Sequence, residues 1–107
     1  MKTIRLWLLP ALPLLLVACG PPKPDGVATL AQSKNCLGCH AIDRKVVGPA
    51  FRDVAAKYAG DAGATARLAA KIQVGGAGVW GPLPMPANGQ VSEAEAQQLA
   101  AWVLTLK

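Results

Sequence analysis

The chain has 107 residues and a formal charge of +5, and 52% of its residues are apolar. That length allows one small domain and leaves no room for a second. From residue 19 onward nine Lys and Arg face six Asp and Glu, a net +3. No basic stripe with interleaved aromatics is present, which excludes the usual footprint of a nucleic-acid binder.

The N-terminus reads as an export signal. Lys2 and Arg5 supply positive charge, and residues 6–18 are almost wholly apolar with Pro10 and Pro13 inside. Thirteen residues are too few to span a bilayer, which takes about 20, and two prolines disfavour a buried helix. Residues 1–18 are therefore expected to be a signal peptide. Leu16-Val17-Ala18-Cys19 resembles a bacterial lipobox, in which the cysteine becomes a lipidated N-terminus. Cys19 is the odd cysteine of three, and lipidation gives it a use. Residues 19–25, with Pro21, Pro22 and Pro24, read as an extended tether, and 26–107 as the folded domain.

Four helices are predicted in that domain. Residues 26–36 place Val27, Leu30 and Ala31 on one face. Residues 50–59 carry Phe51, Val54, Ala55 and Tyr58 at helical spacing, and 63–74 carry Leu68 and Ile72 among alanines. Gly75-Gly76 stops the third helix. Ser92 and Glu95 form a capping box that opens a fourth, running to about Leu106 with Leu99, Trp102 and Val103 inward. No stretch alternates strongly enough to predict a strand. About 89 residues after the signal bury little surface, so a staple or cofactor is expected at the centre.

Between the first two helices stands Cys36-Leu37-Gly38-Cys39-His40. Two cysteines at this separation can add to the two vinyl groups of one porphyrin, and the adjacent His40 can ligate its iron. Zinc is the poorer candidate, because it takes four ligands and this cluster supplies three. A redox dithiol needs a βαβ setting that a helical chain lacks.

Residues 75–89 contain eight Gly or Pro, as a loop passing close over a flat ligand would. Met85 lies within it between Pro84 and Pro86, and no other Met follows residue 1. Stiff flanks lower the entropy lost in presenting a weak thioether ligand. Met85 is therefore the expected sixth ligand. His and Met together would fill both axial positions, raise the reduction potential and confine the iron to electron transfer. A gas sensor or peroxidase-like haem protein with an open sixth site is the alternative.

Three stretches make the chain resemble a small bacterial monohaem cytochrome c of the cytochrome c-551 (cytochrome c8) type. They are Cys36–Asp43, Val47-Gly48-Pro49-Ala50, and Gly78-Val79-Trp80-Gly81-Pro82-Leu83-Pro84-Met85-Pro86-Ala87-Asn88. The resemblance runs from about residue 27 to 107. It implies an all-α cytochrome c fold with N- and C-terminal helices crossing, and one covalent haem c. It further implies that the Pro49 carbonyl accepts from the His40 ring, that Trp80 reaches a haem propionate, and that Asn88 hydrogen-bonds near the Met85 sulfur. Lys71 stands where such proteins often place an arginine on a propionate. The first helix lacks an aromatic at the crossing, and Trp102 could fill that space. The implied protein is no enzyme. It is a monomeric electron carrier on the periplasmic side, tethered to a membrane through Cys19. It would serve a quinol-oxidising complex and a terminal oxidase or reductase.

Overall fold

The computed structural model describes residues 23–107 together with Pro13, Gly20 and Pro21. The N-terminal apolar run apart from Pro13, read from the sequence as a signal, and Cys19 lie outside the described residues. Within them the chain forms four α-helices, α1 (Pro24–Ser33), α2 (Phe51–Lys57), α3 (Ala64–Val74) and α4 (Glu93–Leu104), and a single turn of 3-10 helix, Cys36–Gly38. None of the described helices is long and apolar enough to cross a membrane. The described residues contain no strand, only a bridge between Gly76 and Met85.

Helix α1 starts two residues earlier than the sequence pattern predicts. Pro24 occupies its first turn, where the missing N–H costs nothing, and Asp25 sits at the positive end of the helix. Pro24 and Asp25 thus leave the segment read as a tether. The helix also stops short of the cysteines. Asn35 adopts φ 63°, a left-handed conformation that asparagine tolerates, and turns the chain into the Cys36–Gly38 turn.

Helix α2 has no side-chain cap. Its first free amides are met instead by the backbone that follows the cysteine motif: Phe51 N donates to Ala41 O (2.9 Å) and Arg52 N to Ile42 O (3.0 Å). The start of α2 is thereby fixed to the segment carrying His40. Helix α3 ends at Gly75, whose φ of 75° reverses the chain and whose N–H donates to Lys71 O. Helix α4 opens as the capping box predicts, with Ser92 Oγ accepting from Glu95 N at 3.2 Å. The Glu95 carboxylate also serves α1, since Lys34 Nζ lies 2.8 Å from its Oε2.

The terminal helices do cross. Val27 and Ala31 of α1 pack with Ala96, Leu99 and Ala100 of α4 in one buried cluster. Ala31 and Ala96 are fully buried, so small side chains close the crossing where an aromatic was absent from the sequence. Trp102 does not replace that aromatic alone. It bridges the first cluster and a second one of Phe51, Val54 and Val103, and meets the Phe51 ring edge-on at 5.7 Å between centroids. Among the described residues no large side chain is fully buried. Leu68 and Ile72, the apolar positions of α3, are only half-buried because they face a cleft.

Candidate haem site

Two clefts of about 330 and 190 Å3 open between the cysteine motif on one side and α3 with its following loop on the other. Cys39, His40, Phe51, Ile72, Met85 and Pro86 line both, so the two clefts are parts of one slot. Val54, Leu68 and Val103 give the larger part an apolar floor.

The His40 wall is built from local contacts. His40 N and Cys39 N both donate to Cys36 O (3.0 and 3.2 Å), which winds the motif into a turn. Cys36 is half-buried and Cys39 exposed, and neither is in a disulfide. Burial pushes the Cys36 thiol above its ordinary pKa, with a smaller opposing effect from a backbone hydrogen bond. The His40 ring stacks on Phe51, 4.9 Å between centroids at 21°. Its Nδ1 lies 2.7 Å from Pro49 O. A carbonyl only accepts, so Nδ1 carries the proton and Nε2 keeps its lone pair for a metal. Gly48 lies so close against this ring that a Cβ there would stand 2.8 Å from Nδ1 and 2.9 Å from Nε2. Gly48 and Val47 donate in turn to Cys39 O (2.7 and 3.2 Å), closing the loop under the motif.

The opposite wall is held by longer-range contacts. Met85 N donates to Gly76 O (2.8 Å) and Gly76 N to Met85 O (3.0 Å), so the Met85 backbone is pinned to the chain leaving α3. Both glycines are required there. Gly75 and Gly76 have φ of 75° and 147°. A Cβ on Gly75 would lie 2.8 Å from Ala87 N, and one on Gly76 would lie 2.6 Å from Lys71 Nζ. Asn88 supports the same loop. Its backbone N and its Nδ2 both donate to Ile72 O (3.1 and 2.9 Å), and Nδ2 also reaches Pro86 O at 3.3 Å. Its amide hydrogens therefore brace the loop to the last turn of α3. The resemblance had assigned that amide to the vicinity of the Met85 sulfur; the two carbonyls are the partners found here.

Trp80 and Lys71 both line the larger part of the slot. Trp80 is 41% exposed, and Lys57 Nζ lies 5.6 Å from its ring centroid. Lys71 makes no ion pair among the described residues, which leaves its ammonium available at the slot. Every site residue named from the sequence within the folded domain thus lines the slot: Cys36 and Asn88 its smaller part, Pro49, Trp80 and Lys71 its larger part, and Cys39, His40 and Met85 both. No three His, Cys, Asp or Glu side chains among the described residues converge as a metal cluster.

Three contributors were missed in the sequence. Gly48 cradles the imidazole, Phe51 backs it, and Gly76 pairs with Met85. The Gly48-Pro49 pair was a usable signal, because a glycine beside a carbonyl that must approach a ring marks close packing. Gly75-Gly76 was read only as a helix stop.

The residues present fit a haem. An imidazole with a free Nε2 and a thioether line one apolar slot, and two free thiols stand on its border. The comparisons agree with that arrangement. The cytochrome c family profile matches residues 25–107. Cytochrome c-551 of Pseudomonas aeruginosa is 62% identical over 78 residues, 73% of this chain and 74% of that protein. Cytochrome c-552 of Nitrosomonas europaea is 54% identical over 93 residues, 87% of each. The crystal structure of wild-type Nitrosomonas europaea cytochrome c552 superposes with a TM-score of 0.73 at 55% identity, over 75% of this chain and 99% of that one. Fold, slot and relatives agree, and the chain belongs to the cytochrome c family of electron carriers, with one covalently bound haem c.

Proposed function

We propose that the protein is a one-electron carrier whose haem iron is held between His40 Nε2 and the Met85 sulfur. One observation supports this reading: both side chains line the same slot, His40 from the cysteine-motif segment and Met85 from the loop after α3, and each segment has its own backbone bracing. The haem supplies a single metal that changes oxidation state by one electron. The chain's part would be to hold the surroundings of that metal alike in both states. Pro49 fixes the imidazole tautomer, the Gly76 bridge fixes the Met85 backbone, and Cys36 and Cys39 hold the macrocycle by thioethers. His40 and Met85 would together fill both ligand positions and leave no vacancy for oxygen or a substrate, whereas the open-site alternative requires Met85 to stay off the iron. Trp80 and Lys71, both on the lining of the larger part of the slot, would take the propionates.

The proposed setting is the periplasmic face of a membrane, with Cys19 lipidated after signal removal. The carrier would pass electrons, as a monomer, from a quinol-oxidising complex to a terminal oxidase or reductase. A mildly cationic domain suits transient docking on anionic partner surfaces.

The test of the ligand pair is Met85→Ala. The haem-loaded variant should lose the ferric far-red band of sulfur ligation and bind carbon monoxide rapidly when reduced. Its potential should fall by well over about 59 mV, the tenfold step for a one-electron couple. An unchanged potential overturns the assignment of Met85. Mass spectrometry of the mature N-terminus tests the anchor: an unmodified Cys19 overturns it.

A further inference from the structure

The loop that carries Met85 is tied not only to α3 but also, through the side chains of Gln90 and Lys34, to the segment that enters the cysteine motif. Gln90 Nε2 lies 3.3 Å from Asn88 Oδ1 and 3.4 Å from Lys34 O, and donates to both. The Gln90 backbone carbonyl, which both Gln90 variants below retain, accepts from Lys34 Nζ at 2.8 Å, and that ammonium also pairs with Glu95 of α4. Lys34 caps α1 two residues before Cys36, and Asn88 is the residue that braces Met85. Gln90 is thus the link between the segment entering the cysteine motif and the residue supporting the methionine loop. The smaller part of the slot runs along this seam, with Lys34, Cys36, Met85, Asn88 and Gln90 on its lining.

We infer that Gln90 is a positioning residue for the sixth ligand: by holding Asn88 to Lys34 it fixes the Asn88 amide, keeps the Met85 loop closed on the slot, and slows replacement of Met85 by an external ligand. A glutamine suits the task because its amide nitrogen has two hydrogens, one for each acceptor. The two side-chain bonds are long and exposed, so each contributes little to global stability. Their effect falls on local opening of the loop, which sits at the low-stability end of such a fold. This inference rests on Met85 ligation as proposed above.

Imidazole capture by the ferric, haem-loaded protein reads the loop's opening directly. Gln90→Ala should speed capture about threefold to tenfold while the thermal midpoint stays within a degree or two. Gln90→Glu keeps the shape but lacks both donors at neutral pH, and should match Gln90→Ala. In an Asn88→Ala background, Gln90→Ala should add nothing, because the route runs through Asn88. Unchanged capture in both Gln90 variants overturns the inference, and so does a full additional effect in the Asn88→Ala background. Wild-type protein without the far-red sulfur band would instead overturn Met85 ligation itself, so the two failures are separable.

Discussion

At the scale of single residues, the most demanding contact is Gly48 against the His40 ring. The glycine's φ is unremarkable, so the constraint is space alone: any Cβ would press on both ring nitrogens. Gly48→Ala must push the imidazole off the Pro49 carbonyl or shift the loop that donates to Cys39 O. Overpacking of this kind costs about 1–3 kcal/mol. We expect a lower thermal midpoint and a shifted reduction potential in the haem-loaded protein, read by calorimetry and redox titration. A variant with unchanged values would mean that the ring has room the structure does not give it. Cys36, Cys39, His40 and Met85 could be named from the sequence because the proposed attachment and ligation demand those types at those places, and the structure brings all four to one slot. Gly48 was not, because a glycine's reason for being small appears only once the ring beside it is placed. The bracing role of the Asn88 amide was hidden for a related reason: its partners are backbone carbonyls, which leave no mark on the sequence.

At the scale of elements, the helices were legible and their ends were less so. Apolar spacing in residues 63–74 gave α3 with a start one residue early, whereas α1 was displaced at both ends. Pro24 reads as a tether residue until its place in a first turn is seen, and the αL Asn35 is not obvious without its φ. Leu68 and Ile72 show another limit, since periodicity marks an inward face without saying whether protein or cofactor covers it. The contact between α1 and α4 is alanine packing reinforced by Lys34 and Glu95. The hydrogen bond from Lys34 holds the Glu95 carboxyl below its ordinary 4.5, aided by the same lysine's charge and by the Ser92 N–H, with desolvation opposing. A depressed carboxyl contributes stability above its unfolded pKa and loses it as pH falls through the folded one. The difference in thermal midpoint between wild type and Glu95→Gln should therefore be present, though small, at pH 7, and be lost only as acidification carries the folded-state carboxyl through its depressed pKa. A difference that persists in acid would show that the pairing is not its source.

At the scale of the whole molecule, the fold is a shell with two modest clusters and a slot. The buried side chains are Val, Ala, Leu and one Phe, and among the described residues no large one is fully enclosed. Such a shell is poorly stabilised by protein contacts alone, which the small size of the domain already foretold. Replacing both attachment cysteines, Cys36→Ala with Cys39→Ala, should leave a chain with much weaker helical circular dichroism and no cooperative melt above about 45 °C, the low end for ordinary domains. A cooperative, fully helical unloaded chain would show that the shell suffices. The slot's existence could be foreseen from composition, since eight Gly or Pro in fifteen residues suit close passage over something flat. Its wiring could not, because Gly76 to Met85 and Lys34 to Gln90 are pairings between distant positions.

The two walls differ in how much chain each needs. Everything that orients His40 lies between Cys36 and Phe51. Met85 depends on Ile72, Gly76 and Asn88, and through them on a completed α3. On the proposed ligation, an emerging polypeptide can assemble its nitrogen grip from a short early segment, long before the sulfur grip exists. Gentle denaturation should run the same sequence backwards, detaching sulfur first while the imidazole stays seated. Recovery from that state is a search by one short, glycine-hinged arm whose two ends never left their posts.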